Sequence, residues 1–413
     1  MKKRKIAVSL LIAGGLASPL AQATNGYLPI GYGVKNEGMG GVGIALPQDS
    51  LAAAVNPAGM VMVGDRADVG LTLFRPNRDL TISGNGAGMN GSYSGNGRTN
   101  FLVPNLGYNK MINPDMSLGV SIYGNGGMNT QYNNNPLTPI GGQGAAGVNL
   151  AQLFISPTWS MKLNDKHSIG VAINFAYQTF SAQGLQPFDN AGFSAHPGSV
   201  TNNGTDSSTG IGIRLGWTGQ VTDMVTLGAT FQPKTKMSKF SKYSGLFADG
   251  GSFDIPATYG AGVAVKANQQ TTIGFDVVKI QYSGVSSVGN SAGLPPPQFG
   301  AAGGPGFAWQ DMTVYKLGFA YAYDSNLTLR AGFNHNSQQI GSNAAFINFL
   351  APGVVQNHLT LGSTWKMADK SELSVAYIHA FSQTVTGPIP GPLGAGNASI
   401  RMHEDSIGVM YGW

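Results

Sequence analysis

The 413-residue chain contains no cysteine. That absence excludes a lipid-anchored N-terminal cysteine, a disulfide scaffold and all thiolate chemistry, so the fold must hold without covalent staples. Charge is scarce too: Asp, Glu, Lys and Arg make up 10% of the residues, against about 25% in ordinary soluble domains. After the first 23 residues no run of about 18 apolar residues occurs, which excludes a transmembrane helix from the remainder. What is present is 61 glycines and a mean hydropathy of -0.02. Few charges at near-neutral hydropathy suit strands that turn one face to lipid and the other to a polar lumen.

Residues 1–23 read as an export signal. Lys2-Lys3-Arg4-Lys5 is a basic start, residues 6–16 are an apolar run too short to span a bilayer, and Ala21-Gln22-Ala23 is a small-x-small cleavage site before Thr24. This segment holds four of the 24 basic residues and none of the 19 acidic ones, which leaves 20 against 19, a net charge of about +1. The pI of 9.2 therefore belongs mostly to the signal and gives no argument for nucleic acid.

From residue 67 onward the chain alternates with period two, as strands with one apolar face do. Met116, Leu118, Val120 and Ile122 oppose Ser117, Gly119 and Ser121. Ile169, Val171, Ile173, Phe175 and Tyr177 oppose Gly170, Ala172, Asn174 and Gln178. Ile211, Ile213, Leu215 and Trp217 repeat the pattern. Fourteen such stretches are expected, at about 67–75, 98–109, 116–123, 151–161, 169–178, 209–218, 224–232, 254–267, 271–282, 311–323, 327–336, 357–366, 371–381 and 401–413. An even number returns both chain ends to one side of a closed barrel.

The connections decide the architecture. Six are tight, at 111–115, 163–166, 219–223, 268–270, 324–326 and 367–370, and carry the Asn, Asp or Pro of hairpin turns. Seven long ones, at 76–97, 124–147, 182–208, 234–253, 283–308, 337–356 and 382–400, alternate strictly with them. Outer-membrane barrels have short periplasmic turns and long outside loops; a secreted sandwich or propeller has no such rule. The last strand places Ile407, Val409, Tyr411 and Trp413 on one face. Such an aromatic end resembles the mark by which the barrel-assembly machinery, an expected partner, takes up bacterial outer-membrane barrels.

Residues 24–64 are too glycine-rich and irregular to join this pattern, with Gly38-Met39-Gly40-Gly41-Val42-Gly43-Ile44-Ala45-Leu46-Pro47 at their centre and Asn56-Pro57-Ala58-Gly59-Met60 at their close. They read as a plug. Together with Tyr123-Gly124-Asn125-Gly126-Gly127-Met128-Asn129-Thr130, Ile255-Pro256-Ala257-Thr258 and Leu327-Thr328-Leu329-Arg330-Ala331-Gly332, these motifs make nearly all of the mature chain resemble the FadL family. Its members transport long-chain fatty acids and, in the toluene and xylene branch, aromatic hydrocarbons across the outer membrane. The resemblance implies an all-β, 14-stranded antiparallel transmembrane barrel (65–413) with an N-terminal hatch (24–64) in its lumen and the hatch motif Asn56, Pro57 and Ala58. It also implies a third-strand kink that opens the wall sideways, expected at Gly124, Asn125, Gly126 and Gly127. A barrel of 14 strands is wide enough for such a hatch, and clustered glycines weaken strand pairing.

Other motifs are weak. Residues 38–43 match a dinucleotide pattern without a βαβ unit around it, and Gly289-Asn290-Ser291-Ala292-Gly293 matches a nucleophile elbow inside a loop. The six histidines, at 167, 196, 335, 358, 379 and 403, lack metal-binding spacing. No enzyme, cofactor or metal is expected. The alternation turns Arg214, Lys316, Arg330, Asp276 and Glu372 to the lumen. Arg214, Lys316 and Arg330 are candidates for binding a substrate carboxylate, or else for pairing with the hatch acids Glu37, Asp49 and Asp65, since buried charge needs a partner. A short helix over 51–55 is expected to be capped by Asp49 or Ser50.

Loops 124–147, 283–308 and 337–356 hold no charged residue but do hold Leu294, Phe299, Phe307, Phe346, Ile347, Phe349 and Leu350. They form either a greasy landing surface or loops packed on one another. Lys234, Lys236, Lys239 and Lys242 are expected to meet lipopolysaccharide phosphates. The expected function is passive transport of hydrophobic compounds, long-chain fatty acids first: capture by the loops, hatch rearrangement, and lateral exit through the wall. Uptake of aromatic hydrocarbons by that route, or a general porin or adhesin barrel, are the alternatives.

Overall fold

The computed structural model describes residues 25–413, so the export signal lies outside the described residues. The strands are β1 (Arg66–Ser83), β2 (Gly91–Ser94), β3 (Phe101–Asn113), β4 (Met116–Asn129), β5 (Gly147–Lys162), β6 (His167–Gln183), β7 (Asp206–Gln220), β8 (Val225–Gln232), β9 (Thr258–Lys266), β10 (Thr271–Ile280), β11 (Met312–Ala322), β12 (Leu327–Asn336), β13 (Asn357–Lys366), β14 (Glu372–Pro388) and β15 (Asn397–Gly412). β1 pairs antiparallel with β2, β3 and β15, and from β3 onward each strand pairs antiparallel with the next. Setting aside β2, which lies on β1 outside the ring, this is a closed barrel of 14 strands. Closure leaves no unpaired edge in the bilayer.

Burial is inverted relative to a soluble protein. Outward residues such as Ile211 (67% exposed) and Leu361 (53%) meet lipid, while Asn174 and Gln152 face the lumen at 0%. The tight turns are built by their own polar side chains. Asn113, Asn164, Asn268, Asp324 and Asp369 each accept a hydrogen bond from a backbone N–H two residues on, at 2.7 to 3.1 Å. This is the Asx-turn chemistry that Asn and Asp bring to hairpins.

Several strands outrun the expected bounds at the outer end. β1 reaches Ser83 rather than residue 75, β4 reaches Asn129 rather than 123, and β15 begins at Asn397 rather than 401. Beyond the lipid band the outward residues become Asn77, Asp79 and Thr81, or Thr179, Ser181 and Gln183. The ladder continues there with its polarity inverted, the outward face polar and Leu80, Ile82, Phe180 and Ala182 turned inward to the apolar cap. Parts of the expected loops 76–97 and 124–147 are therefore wall.

Above the barrel the long loops pack on one another. Phe299, Phe307, Phe346, Phe349 and Leu350 are buried in one cluster with Phe180, Phe240, Tyr243, Phe247 and Trp309. The main apolar core sits in this outer cap. Of the two readings of the greasy loops, mutual packing is the one observed.

Candidate functional site

Residues 25–64 fill the lumen, with Tyr27 and Leu28 reaching up into the apolar cluster of the outer cap. The segment contains a one-turn helix α1 (Val34–Glu37) and 3-10 turns at Ala52–Ala54 and Pro57–Met62. The expected helix over 51–55 is thus only a 3-10 turn. Asp49 accepts from Leu51 N at 2.9 Å before it, while the Ser50 hydroxyl donates to Asp68 at 2.5 Å. One turn of tight helix suffices where the wall leaves no length for more.

The wall carries glycine at many of the points where this segment presses on it. A Cβ at Gly332 would stand 2.2 Å from Gly40 N, one at Gly170 2.3 Å from Pro57 C, and one at Gly228 2.4 Å from Ile44 O. Gly107 meets Ser50, Gly216 Asn56, Gly274 Val42, Gly318 Met39 and Gly362 Gly38. Contacts on strands around the whole ring put the hatch inside the lumen, with its backbone against the wall.

Polar ties complete the fit. Asn56 caps the second 3-10 turn by accepting from Ala58 N at 3.1 Å, and its amide donates to Ile44 O (2.7 Å) and Trp217 O (2.9 Å). Ala58 O accepts from the hydroxyls of Ser160 and Ser168, both at 3.0 Å. Asp276 accepts from Gly43 N (2.8 Å) and Ile44 N (3.0 Å). At the periplasmic side Glu372 joins buried Lys35 (2.6 Å) to Arg66 (3.0 Å), which grips Asp68 with two bonds. Asp65, just before β1, is held below the usual carboxylate range by the Lys110 ammonium.

Between the upper part of the hatch and the wall is a cavity of about 60 Å³ bordered by Leu28, Tyr32, Ile44, Val55, Asn125, Arg214, Gln232, Val278, Val314 and Lys316. Arg214 donates to Val55 O (3.3 Å) and Gln232 Oε1 (2.7 Å), and Lys316 to Ile30 O (2.7 Å) and Gly41 O (3.2 Å). The Nε–H of Arg214 is buried with no acceptor among the described residues. Lys316 lies across the β10–β11 ladder from the buried Asp276, whereas Arg214, held by neutral carbonyls with one N–H unpartnered, leaves room for a stronger, anionic acceptor.

Beside this cavity the strand pairing is interrupted. The β4–β5 register shifts between Gly124 and Gly126, which makes Asn125 the extra residue of a bulge. The β3–β4 ladder ends at Asn105↔Tyr123, so residues 124–129 of β4 pair with β5 alone. Pro104, next to the last paired residue of β3, has no N–H to offer a ladder. Hatch and bulge touch: Tyr32 donates to Asn125 Oδ1 (3.2 Å) and Gly127 N to Tyr27 O (2.9 Å).

The family model for outer membrane protein transport proteins (OMPP1/FadL/TodX) matches residues 30–389. The chain belongs to this family. Solved structures similar to it include the P. putida toluene transporter TodX (18% identity, 93% of this chain and 98% of that one covered, TM-score 0.66). They also include a Pseudomonas aeruginosa FadL homologue (16%, 94% and 99%, 0.68) and the Ralstonia pickettii toluene transporter TbuX (18%, 93% and 98%, 0.65). No curated protein matches the sequence. Membership of the FadL/TodX family makes this an outer-membrane transport channel for hydrophobic compounds rather than an enzyme.

Of the three expected lumenal cations, Arg214 and Lys316 border the same cavity, next to Asn125. Arg330 does not: it lies lower, donating to Gln48 Oε1 (2.9 Å) and Thr364 Oγ1 (2.7 Å). Pairing with hatch acids is not how these cations are held. Glu37 accepts from Thr72, Asp49 from Leu51 N, and Asp65 pairs with Lys110. Hatch backbone carbonyls hold Arg214 and Lys316, and the hatch side chain of Gln48 holds Arg330. Sequence reasoning did not find Tyr32, Gln232, Pro104 or the glycines of the wall. A glycine recurring at lumen positions of successive strands was the available signal for the last.

Proposed function

We propose that this channel carries apolar molecules with a carboxylate end, long-chain fatty acids first, from the outer loops to the cavity between hatch and wall and sideways into the bilayer between β3 and β4. The observation that carries this reading is the unpartnered Arg214 Nε–H, buried beside Lys316 in a cavity that Asn125 also borders. An apolar chain gains little from an aqueous pore, whereas a wall gap hands it to lipid. Residues 1–23 are the export signal in this proposal, residues 24–64 move as the hatch, and Trp413 and Lys234, Lys236, Lys239 and Lys242 meet the assembly machinery and lipopolysaccharide.

The test is uptake of labelled oleate by cells lacking their own fatty-acid channel. Deleting Asn125 restores the β4–β5 register and should abolish uptake, and Arg214→Ala with Lys316→Ala should reduce it more than tenfold. Unchanged uptake in both variants sinks the reading. A second reading, uptake of aromatic hydrocarbons, is favoured by a smaller uncharged cavity in the outer cap, of about 30 Å³, between Phe180, Phe247, Phe299 and Phe307. Toluene uptake that survives loss of both cations selects it. Large steady conductance in planar bilayers would instead indicate a general pore, which a filled lumen argues against.

A further inference from the structure

A second cavity, of about 240 Å³, lies on the other side of the hatch and opens at the turn end of the barrel. Ile44 borders the upper cavity and Ala45 this one, so a single stretch of hatch backbone separates them. Its lining is segregated. Leu46, Pro47 and Met62 of the hatch give an apolar side, while Lys166 of the β5–β6 turn and Lys266 at the end of β9 stand at the rim. Both lysines are exposed, and among the described residues neither ammonium makes an ion pair or hydrogen bond. Lys162, also on the rim, is occupied by Pro114 O (2.9 Å) and Asp115 (3.8 Å). The other titratable groups that face the cavity are Asp165 and His167. Two free cations against one carboxylate leave the rim positive, and the exposed Met62 gives it a greasy floor.

We propose that this periplasmic cavity is a second binding site, for an anionic amphiphile whose carboxylate or phosphate headgroup meets Lys166 and Lys266 and whose chain lies on Leu46, Pro47 and Met62. Cation plus adjoining apolar surface is the pairing such a molecule needs; neither alone selects it over a simple ion or an oil. The inference rests on the proposed transport reading only in making a fatty acid the natural occupant. It adds that the channel binds that occupant on the periplasmic side of its hatch as well.

The experiment uses the full-length protein in a non-ionic maltoside, photolabelled with a diazirine analogue of palmitate and mapped by mass spectrometry. Adducts are expected on peptides holding residues 45–47, 62 or 162–168, falling at least tenfold in Lys166→Glu, Lys266→Glu. Adducts on peptides bordering the upper cavity stay constant in that variant. Both lysines are exposed, so the variant should keep the heat-shifted gel mobility of a folded barrel. Laurate and dodecyl phosphate are the competitors, and whichever displaces the label better names the headgroup. Equal displacement by uncharged dodecanol overturns the proposal, as do absent periplasmic adducts or adducts indifferent to the charge reversal. Missing upper-cavity adducts would count against the transport reading and leave this one standing.

Discussion

Gly170 lies in β6 against the Pro57–Ala58 peptide of the hatch, and alanine at this position tests how closely the hatch is fitted. The added Cβ would stand 2.3 Å from Pro57 C, 2.4 Å from Pro57 O and 2.5 Å from Ala58 N, where ordinary contact begins at 3.4 Å. The struck atoms are backbone, so no side chain can swing aside, and the turn must retreat by roughly 1 Å. Such overpacking costs about 1–3 kcal/mol. The same retreat stretches the hydroxyl bonds of Ser160 and Ser168 to Ala58 O, now 3.0 Å, each worth about 1 kcal/mol. Together these weaken docking of the turn by about 3 kcal/mol, and every 1.4 kcal/mol is tenfold. Hydrogen exchange read by mass spectrometry should therefore show the amides of residues 56–63 opening on the order of 100-fold faster in Gly170→Ala. The β6–β7 ladder should keep its protection, since its bonds run within the wall. Gly284→Ala, with nothing within 4 Å of the new Cβ, is the control. Unchanged exchange over 56–63 would refute the close fit, and equal loss across the wall would show a barrel defect instead.

Two further outcomes follow from the ties between hatch and wall. Asn56→Ala removes an N-cap worth about 1 kcal/mol and two amide bonds to Ile44 O and Trp217 O. Faster exchange at residues 44–47 as well as 56–63, with the barrel melt unchanged, is the expected result. Glu372→Gln leaves the buried Lys35 ammonium without its ion-pair partner and lowers the salt-bridged grip on Arg66. It should expose residues 33–38 to a protease added from the periplasmic side, while Thr364→Val, a loss confined to the Arg330 and Ser374 hydroxyl contacts, should not.

The barrel was legible because lipid imposes one rule on every strand: apolar side chains at alternate positions of β4, β6, β7 and β15 announce themselves without reference to any partner. The six tight turns were equally legible, since Asn164 or Asp324 acts on the backbone two residues away. Strand ends such as Asn77 to Ser83 were not, because there the alternation inverts: Leu80 and Ile82 turn inward to the cap and polar residues turn outward, so the lipid rule no longer marks them. The candidate site was half legible. Glycines at 124, 126 and 127 mark a weak strand, but only the pairing shows that the ladder to β3 stops there and that Pro104 lies beside the stop. Arg214 and Lys316 could be turned inward by counting; that they meet at one cavity while Arg330 does not depends on height along the barrel axis, which alternation leaves free.

The way the two upper cations are held bears on how a ligand would move the hatch. Arg214 and Lys316 bind Val55 O, Ile30 O and Gly41 O, so three of the bonds that keep the hatch in place end on the groups proposed to receive a carboxylate. A carboxylate offers these donors charge-assisted bonds roughly twice as strong as those to a neutral carbonyl. Its arrival and the release of residues 30, 41 and 55 are then a single exchange of acceptors. A ligand shifts such an equilibrium only by the difference between its affinities for the two states, and here that difference is the gain of carboxylate over carbonyl at two cations less the repulsion of Asp276, which faces Lys316 across the ladder. The lower ties through Lys35, Glu372, Arg66 and Asp68 contain no donor that the ligand can reach from above. The tie of Tyr27 O to Gly127 N above is untouched as well, so the segment between the two fastenings would shift rather than leave the barrel. Toluene or any other uncharged ligand would not break these bonds, so oleate should speed exchange at residues 41–44 and toluene should not. Equal effects of the two ligands would mean that the cations hold the hatch without taking part in its release.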